Sequence, residues 1–101
     1  MKELIGKVSD AQIAIYKEKY GEVFEVVIED SVCYLKKPDR KTLSFATSFG
    51  DKDPMKFNEV MLENCWIAGD ERIKTDDEYF FACIGEMEAL IQVKEAQLKK
   101  L

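Results

Sequence analysis

The stretch from Thr75 to Leu101 constrains the fold of this chain more than any other. Thr75-Asp76-Asp77-Glu78 has the form of a capping box, in which the threonine hydroxyl and the Glu78 carboxylate each satisfy a backbone amide of the first turn. Three carboxylates at the start and Lys99-Lys100 at the end both suit the helix dipole. At 100° per residue, Phe80, Cys83, Ile84, Met87, Leu90, Ile91, Leu98 and Leu101 share one stripe, interrupted at Lys94. No proline breaks the run, and Gly85 is its one weak helix former. The pattern predicts one long helix reaching Leu101, against which the rest must pack.

With 101 residues, the size prior predicts a single domain, 1–101. A chain of this length buries roughly 65% of its extended surface, enough for one core without metal or disulfide staples. The longest unbroken apolar run is Tyr79 to Ile84, far short of a membrane span. No apolar segment follows Met1-Lys2-Glu3-Leu4-Ile5-Gly6, so the expectation is no secretory signal, no membrane contact and a cytoplasmic location.

Charge is distributed unevenly. Residues 1–50 carry eight basic and eight acidic side chains, whereas residues 51–101 carry seven and twelve and hold the whole net charge of −5. Neither half offers the basic footprint that nucleic-acid binding needs. The one basic cluster, Lys36-Lys37 with Arg40-Lys41, reads as solvated charge flanking a strand end. An acidic second half suits a basic partner better than an anionic ligand.

Taken in order, Ser9-Asp10-Ala11-Gln12 starts a helix with Ile13, Tyr16 and Tyr20 on one side, running from about Asp10 to Lys19 and stopping near Gly21. Glu22 to Glu29 then alternates, with Phe24, Val26 and Ile28 on one face. Val32 to Lys37 is rich in strand formers, and the two runs predict an antiparallel hairpin. A lone hairpin needs a helix or a partner strand across it, and an uncovered edge can pair with another chain. Asp39 after Pro38 caps a helix of about Arg40 to Phe49, with Leu43, Phe45 and Ala46 as buried candidates. The fold class is α+β: an N-terminal helix and β-hairpin (9–37), then a helical part (38–101) of three helices, the last one long.

Asp53-Pro54 is a clear helix start, an N-cap aspartate with proline at the first helical position. From Pro54 to about Trp66, Lys56, Glu59 and Glu63 form one narrow polar stripe. Met55, Phe57, Val60, Met61, Leu62, Cys65 and Trp66 occupy most of the remaining circle, wider than one core contact needs. Gly69 reads as the stop. The helix is therefore either sandwiched inside the domain, with Trp66 closing the core, or it shows one side to a protein partner or a second copy. In the second case Met55, Glu59, Glu63 and Trp66 are the candidate partner-binding residues.

Catalytic chemistry finds little purchase. The chain has no histidine, which removes Ser-His-Asp and Cys-His nucleophiles and the commonest metal ligand. Its glycines, at 6, 21, 50, 69 and 85, are isolated, so no phosphate-cradling loop exists. Gly50-Asp51-Lys52-Asp53 opens like a calcium loop but then places Pro54 and Met55 where ligands should follow. Cys33, Cys65 and Cys83 are widely spaced and odd in number, which favours buried apolar thiols over disulfides or zinc. The expectation is no enzyme, no metal and no cofactor.

The segment from Asp53-Pro54 through Asn64-Cys65-Trp66 to Gly69-Asp70, with Lys37-Pro38-Asp39-Arg40 upstream, resembles small phage and prophage proteins of the tail-assembly-chaperone type. The likeness covers about residues 34–101 and includes Asp76-Asp77 and the ending Glu95-Ala96-Gln97-Leu98-Lys99-Lys100-Leu101. It implies a non-enzymatic protein that keeps a tail protein, such as the tape measure, soluble during assembly; a homo-oligomer is the further option that the broad apolar face of the Pro54–Trp66 helix leaves open. Two alternatives stay open: a structural phage or bacterial subunit such as a connector, and a small adaptor or inhibitor that binds a regulatory protein.

Overall fold

A computed structural model describes residues 3–49, 52–87 and 96–101. It is an α+β fold in which helices and strands are interleaved. The first helix, α1 (Asp10–Tyr20), starts where Ser9 Oγ accepts from the Gln12 amide at 3.1 Å and ends at Gly21, with φ +83°. The hairpin follows as β1 (Val23–Ile28) and β2 (Ser31–Lys36), joined by Glu29-Asp30. Asp39 Oδ1 caps α2 (Arg40–Thr47) by accepting from the Thr42 amide at 2.8 Å. Asp53 Oδ1 does the same for α3 (Pro54–Cys65), accepting from the Lys56 amide at 3.0 Å with proline at the helix start.

The chain then departs from the expected run of helices. α3 ends where expected, with Trp66 as its C-cap, but Trp66 also opens a short strand, β3 (Trp66–Gly69), paired antiparallel with the far side of β2. The sheet order is β1-β2-β3, with a bulge between Tyr34 and Leu35. Gly69 is a point of close approach and not a helix stop. Its φ is +144°, and an added Cβ would lie 2.5 Å from the Cys33 Cα. Only glycine lets the two backbones meet so closely. A single helical turn, α4 (Arg72–Thr75), follows, so among the described residues four helices and a strand come after the hairpin where three helices were expected.

The last described helix is α5 (Asp77–Met87). Its cap is Asp76, whose Oδ1 accepts from the amides of Glu78 at 3.0 Å and Tyr79 at 3.3 Å. Thr75 belongs to the turn before it and donates its hydroxyl to the Glu71 carbonyl at 3.3 Å. Aspartate won the capping position because a carboxylate accepts more strongly than a hydroxyl at the positive end of the helix. The expected stripe members Leu90, Ile91 and Lys94 lie outside the described residues. Residues 96–101 are not helical, and Leu98 and Leu101 are fully exposed, so the helix does not reach Leu101.

The core lies on one face of the sheet. Val26 and Ile28 of β1 and Cys33 and Leu35 of β2 meet Val60, Met61, Leu62 and Cys65 of α3, Ile73 of α4, and Phe80, Cys83 and Met87 of α5. Of the α2 candidates, Ala46 is buried and Leu43 half-buried, while Phe45 is exposed. Val32 and Tyr34 are buried on the opposite face, outside that cluster. There the Tyr34 hydroxyl accepts from the Val8 amide at 3.5 Å, and Ile5 runs parallel to β2 at Ser31. Among the described residues no helix is long and apolar enough to cross a membrane.

Candidate functional site

The four residues singled out on α3 do not form one cluster. Met55 is 40% exposed near the start of the helix. Trp66 follows its end, and at 1.5 Å per residue the two stand about 16 Å apart along the axis. Trp66 is half-buried against the core, and Lys74 Nζ sits 4.6 Å above its ring. Such a lysine holds a cation–π contact while covering the indole from water. Glu59 and Glu63 do come together. They line a shallow depression between α2 and α3 of about 300 Å³, with Phe45, Lys56, Val60 and Asn64. Both carboxylates are exposed, and their ion pairs with Lys56 and Lys74 are long, at 3.9 Å each.

A second groove, walled mainly by apolar side chains, lies on another side of α3, between it and α5. Phe57, Asn58 and Met61 of α3 and Phe81, Ile84, Gly85 and Met87 of α5 enclose about 350 Å³. The spacing explains its walls. On α5, Phe80, Cys83 and Met87 turn into the core, which leaves Phe81 on the adjacent flank, 52% exposed, with Ile84 half-buried between. Gly85 supplies a wall without a side chain; among the described residues, a Cβ built there would meet nothing within 4 Å. No carboxylate lines it: among the described residues Glu59 belongs to the depression on the α2 side, and Glu78 to another beside Ile28 and Tyr79. Phe81 was the missed signal: an aromatic residue beside the core stripe of a helix whose neighbours already fill that stripe.

The other polar assembly is a knot around Asp70. The Asp70 carboxylate, 8% exposed, accepts from Ser31 Oγ at 2.7 Å, from Arg72 Nε at 2.8 Å and from the Arg72 amide at 3.0 Å. Arg72 Nη2 also donates to Ser31 Oγ at 2.7 Å and to Asp30 Oδ1 at 3.3 Å, and Tyr79 OH donates to the same Asp30 oxygen at 3.0 Å. The guanidinium carbon lies 5.0 Å from the centre of the Tyr79 ring. Arg72 and, secondarily, Ser31 hold the Asp70 carboxyl down at about 2. The Tyr79 hydroxyl lowers Asp30, and the same bond raises Tyr79. This arrangement ties the β1–β2 turn to α4 and α5. It is poorly suited to activating Ser31, because a carboxylate held near 2 is a weak base and Arg72 occupies the serine oxygen.

Two of the three thiols are equally muted. All three cysteines are free and buried. Cys33 is pushed up by its neighbour Cys83 and by burial, and burial pushes Cys65 up to about 11. Neither carries the thiolate that nucleophilic chemistry requires. Among the described residues, no three His, Cys, Asp or Glu side chains converge as metal ligands would. Comparisons with protein families, with characterised proteins and with solved structures return no match to this chain.

Proposed function

We propose that the protein is a non-enzymatic binding module that takes an amphipathic helix of a protein client into the groove between α3 and α5. We propose further that it serves as an assembly chaperone of the phage-tail type, with a tape-measure protein as client. The observation that carries the first reading is the groove itself, walled by Phe57, Met61, Phe81 and Ile84 and open at Gly85. Helix-in-groove recognition needs an apolar trough of this kind and reads side chains at helical spacing. The net charge of −5, all of it carried by residues 51–101, favours a client helix whose polar face is basic. The chaperone reading rests on the sequence resemblance, and a protein that shields a long helical client needs this physics and no active site.

The experiment is titration of a fluorescently labelled amphipathic helical peptide with a lysine-rich polar face, followed by anisotropy. The expected result is saturable binding that weakens with salt and is lost in Phe81→Ser and Gly85→Leu, the second of which fills the trough. Equal binding by both variants and the parent chain would remove the groove as the site. For the client assignment, co-expression with a tape-measure protein should give a complex that Gly85→Leu disrupts. A complex insensitive to that change would place the tape measure elsewhere or not on this protein at all.

A further inference from the structure

We propose that two copies of this chain associate through the free edge of β1, antiparallel about a two-fold axis, joining their sheets into one. The argument begins with Val32, in the middle of the sheet. Its N–H donates to the Ile5 carbonyl at 3.0 Å, and its carbonyl accepts from the Asp70 amide at 3.0 Å. Both bonds point away from β1. In an antiparallel ladder the facing residue then turns its own N–H and C=O outward, and that residue is Val27. By alternation Glu25 and Val23 do the same. Among the described residues, none of these three outward-facing backbone positions has a hydrogen-bond partner.

Edge strands normally carry a guard: a proline, a bulge, an exposed lysine or a cover. β1 reads Val-Phe-Glu-Val-Val-Ile, with no proline and no lysine, and the sheet's bulge lies between β2 and β3. Val27 is 51% exposed at this edge. The one charged residue, Glu25, is neutralised by Lys7 Nζ at 3.0 Å, and Glu22 beside it by Lys37 Nζ at 3.1 Å. Although the chain as a whole carries −5, the carboxylates of β1 and of Glu22 before it are each paired with a lysine, so a second copy can lie along the strand without facing an uncompensated charge within it. That balance selects a second copy over a strongly charged peptide.

The pattern also selects a register. With the axis at Val26, Phe24 faces Ile28 of the second copy, Val26 faces Val26, and the helix-facing side of the joined sheet stays apolar. On the other side Glu25 meets Val27. Moving the axis to Glu25 would oppose two carboxylates directly, which cross-strand pairing disfavours. One strand pair is a small contact, so the dimer is weak and concentration-dependent.

Sedimentation analysis from micromolar to millimolar concentration tests this, on the parent chain, Val27→Pro and Val27→Lys. Proline at 27 removes an N–H that points outward and leaves the bonds to β2 intact. Lysine at 27 is the standard edge guard and keeps the backbone unchanged, and circular dichroism shows that each variant is folded. The expected result is a reversible monomer–dimer equilibrium for the parent chain and for Phe81→Ser, and a monomer at every concentration for folded Val27→Lys. A parent chain that remains monomeric at millimolar concentration would overturn the proposal. So would a dimer that survives in Val27→Lys, since that dimer would use another face.

Discussion

Asp70 is a side chain whose environment sets a measurable property of the whole protein. Its folded pKa of about 2 lies below the ordinary carboxyl value of 3.8, because Arg72 and Ser31 stabilise the charged form. The folded state therefore binds fewer protons than the unfolded state between those values. The stability it contributes is complete above about pH 4 and is lost as the pH falls towards 2, a loss of about 2 kcal/mol. Asp70→Asn should cost about 1–3 kcal/mol in denaturant melts at pH 7, and the gap from the parent chain should narrow as the pH approaches 2. A constant gap across that range would mean the carboxylate charge is not what holds the knot. Two glycines make an opposite pair at the same scale. Gly69→Ala forces a Cβ against the Cys33 backbone from a φ of +144° and should cost about 3 kcal/mol. Gly85→Ala enters open space on a helix and should raise stability by about 0.5–1 kcal/mol. Neither difference is visible in the sequence, where both are simply isolated glycines.

At the scale of elements, the helix starts were legible because each rests on a local rule. Ser9, Asp39 and Asp53 all cap where their side-chain chemistry and position require, and the alternation of Phe24, Val26 and Ile28 places the right face of β1 inward. The short strand β3 was not legible. Trp66 to Gly69 continues the apolar pattern of α3, and only the open side of β2 turns it into a strand. Long-range pairing of this kind overrides local preference and leaves no periodic mark in so short a run. The two neighbouring phenylalanines of α5 show how far pattern goes. Phe80 is 7% exposed and packs in the core, whereas Phe81 is 52% exposed along the groove. Phe80→Ala should lose about 3–5 kcal/mol by cavity formation. Phe81→Ala should lose under about 1 kcal/mol while weakening helix binding. Equal losses in thermal melts would show that the groove is internal packing and not a surface.

For the whole molecule, the decisive feature is that β2 sits between two layers. Its central residues Val32, Cys33, Tyr34 and Leu35 are essentially inaccessible, and its sides are paired with β1 on one edge and with β3 and Ile5 on the other. The main core, with α3 and α5, covers one face, while the opposite face buries Val32 and Tyr34 near the N-terminal segment. The α+β class and the helix-facing core followed from periodicity, but this second burial did not, because residues 3–8 show no pattern of their own. Burial on two faces predicts a hierarchy of opening. A strand whose exchange requires both layers to come apart is released only by global unfolding. The helix α1 has no buried residue, and its capping bond at Ser9 is exposed, so it can open with little loss of apolar contact. Native-state hydrogen exchange should accordingly place the slowest amides at Cys33 and Leu35, with opening free energies equal to the stability from denaturant melts. The amides of Ile13 to Tyr20 should exchange through local opening several kcal/mol cheaper, on the scale of a 5–15 kcal/mol total. Equal protection in α1 and β2 would mean that the first helix belongs to the cooperative core, and the two-layer organisation around β2 would then be wrong.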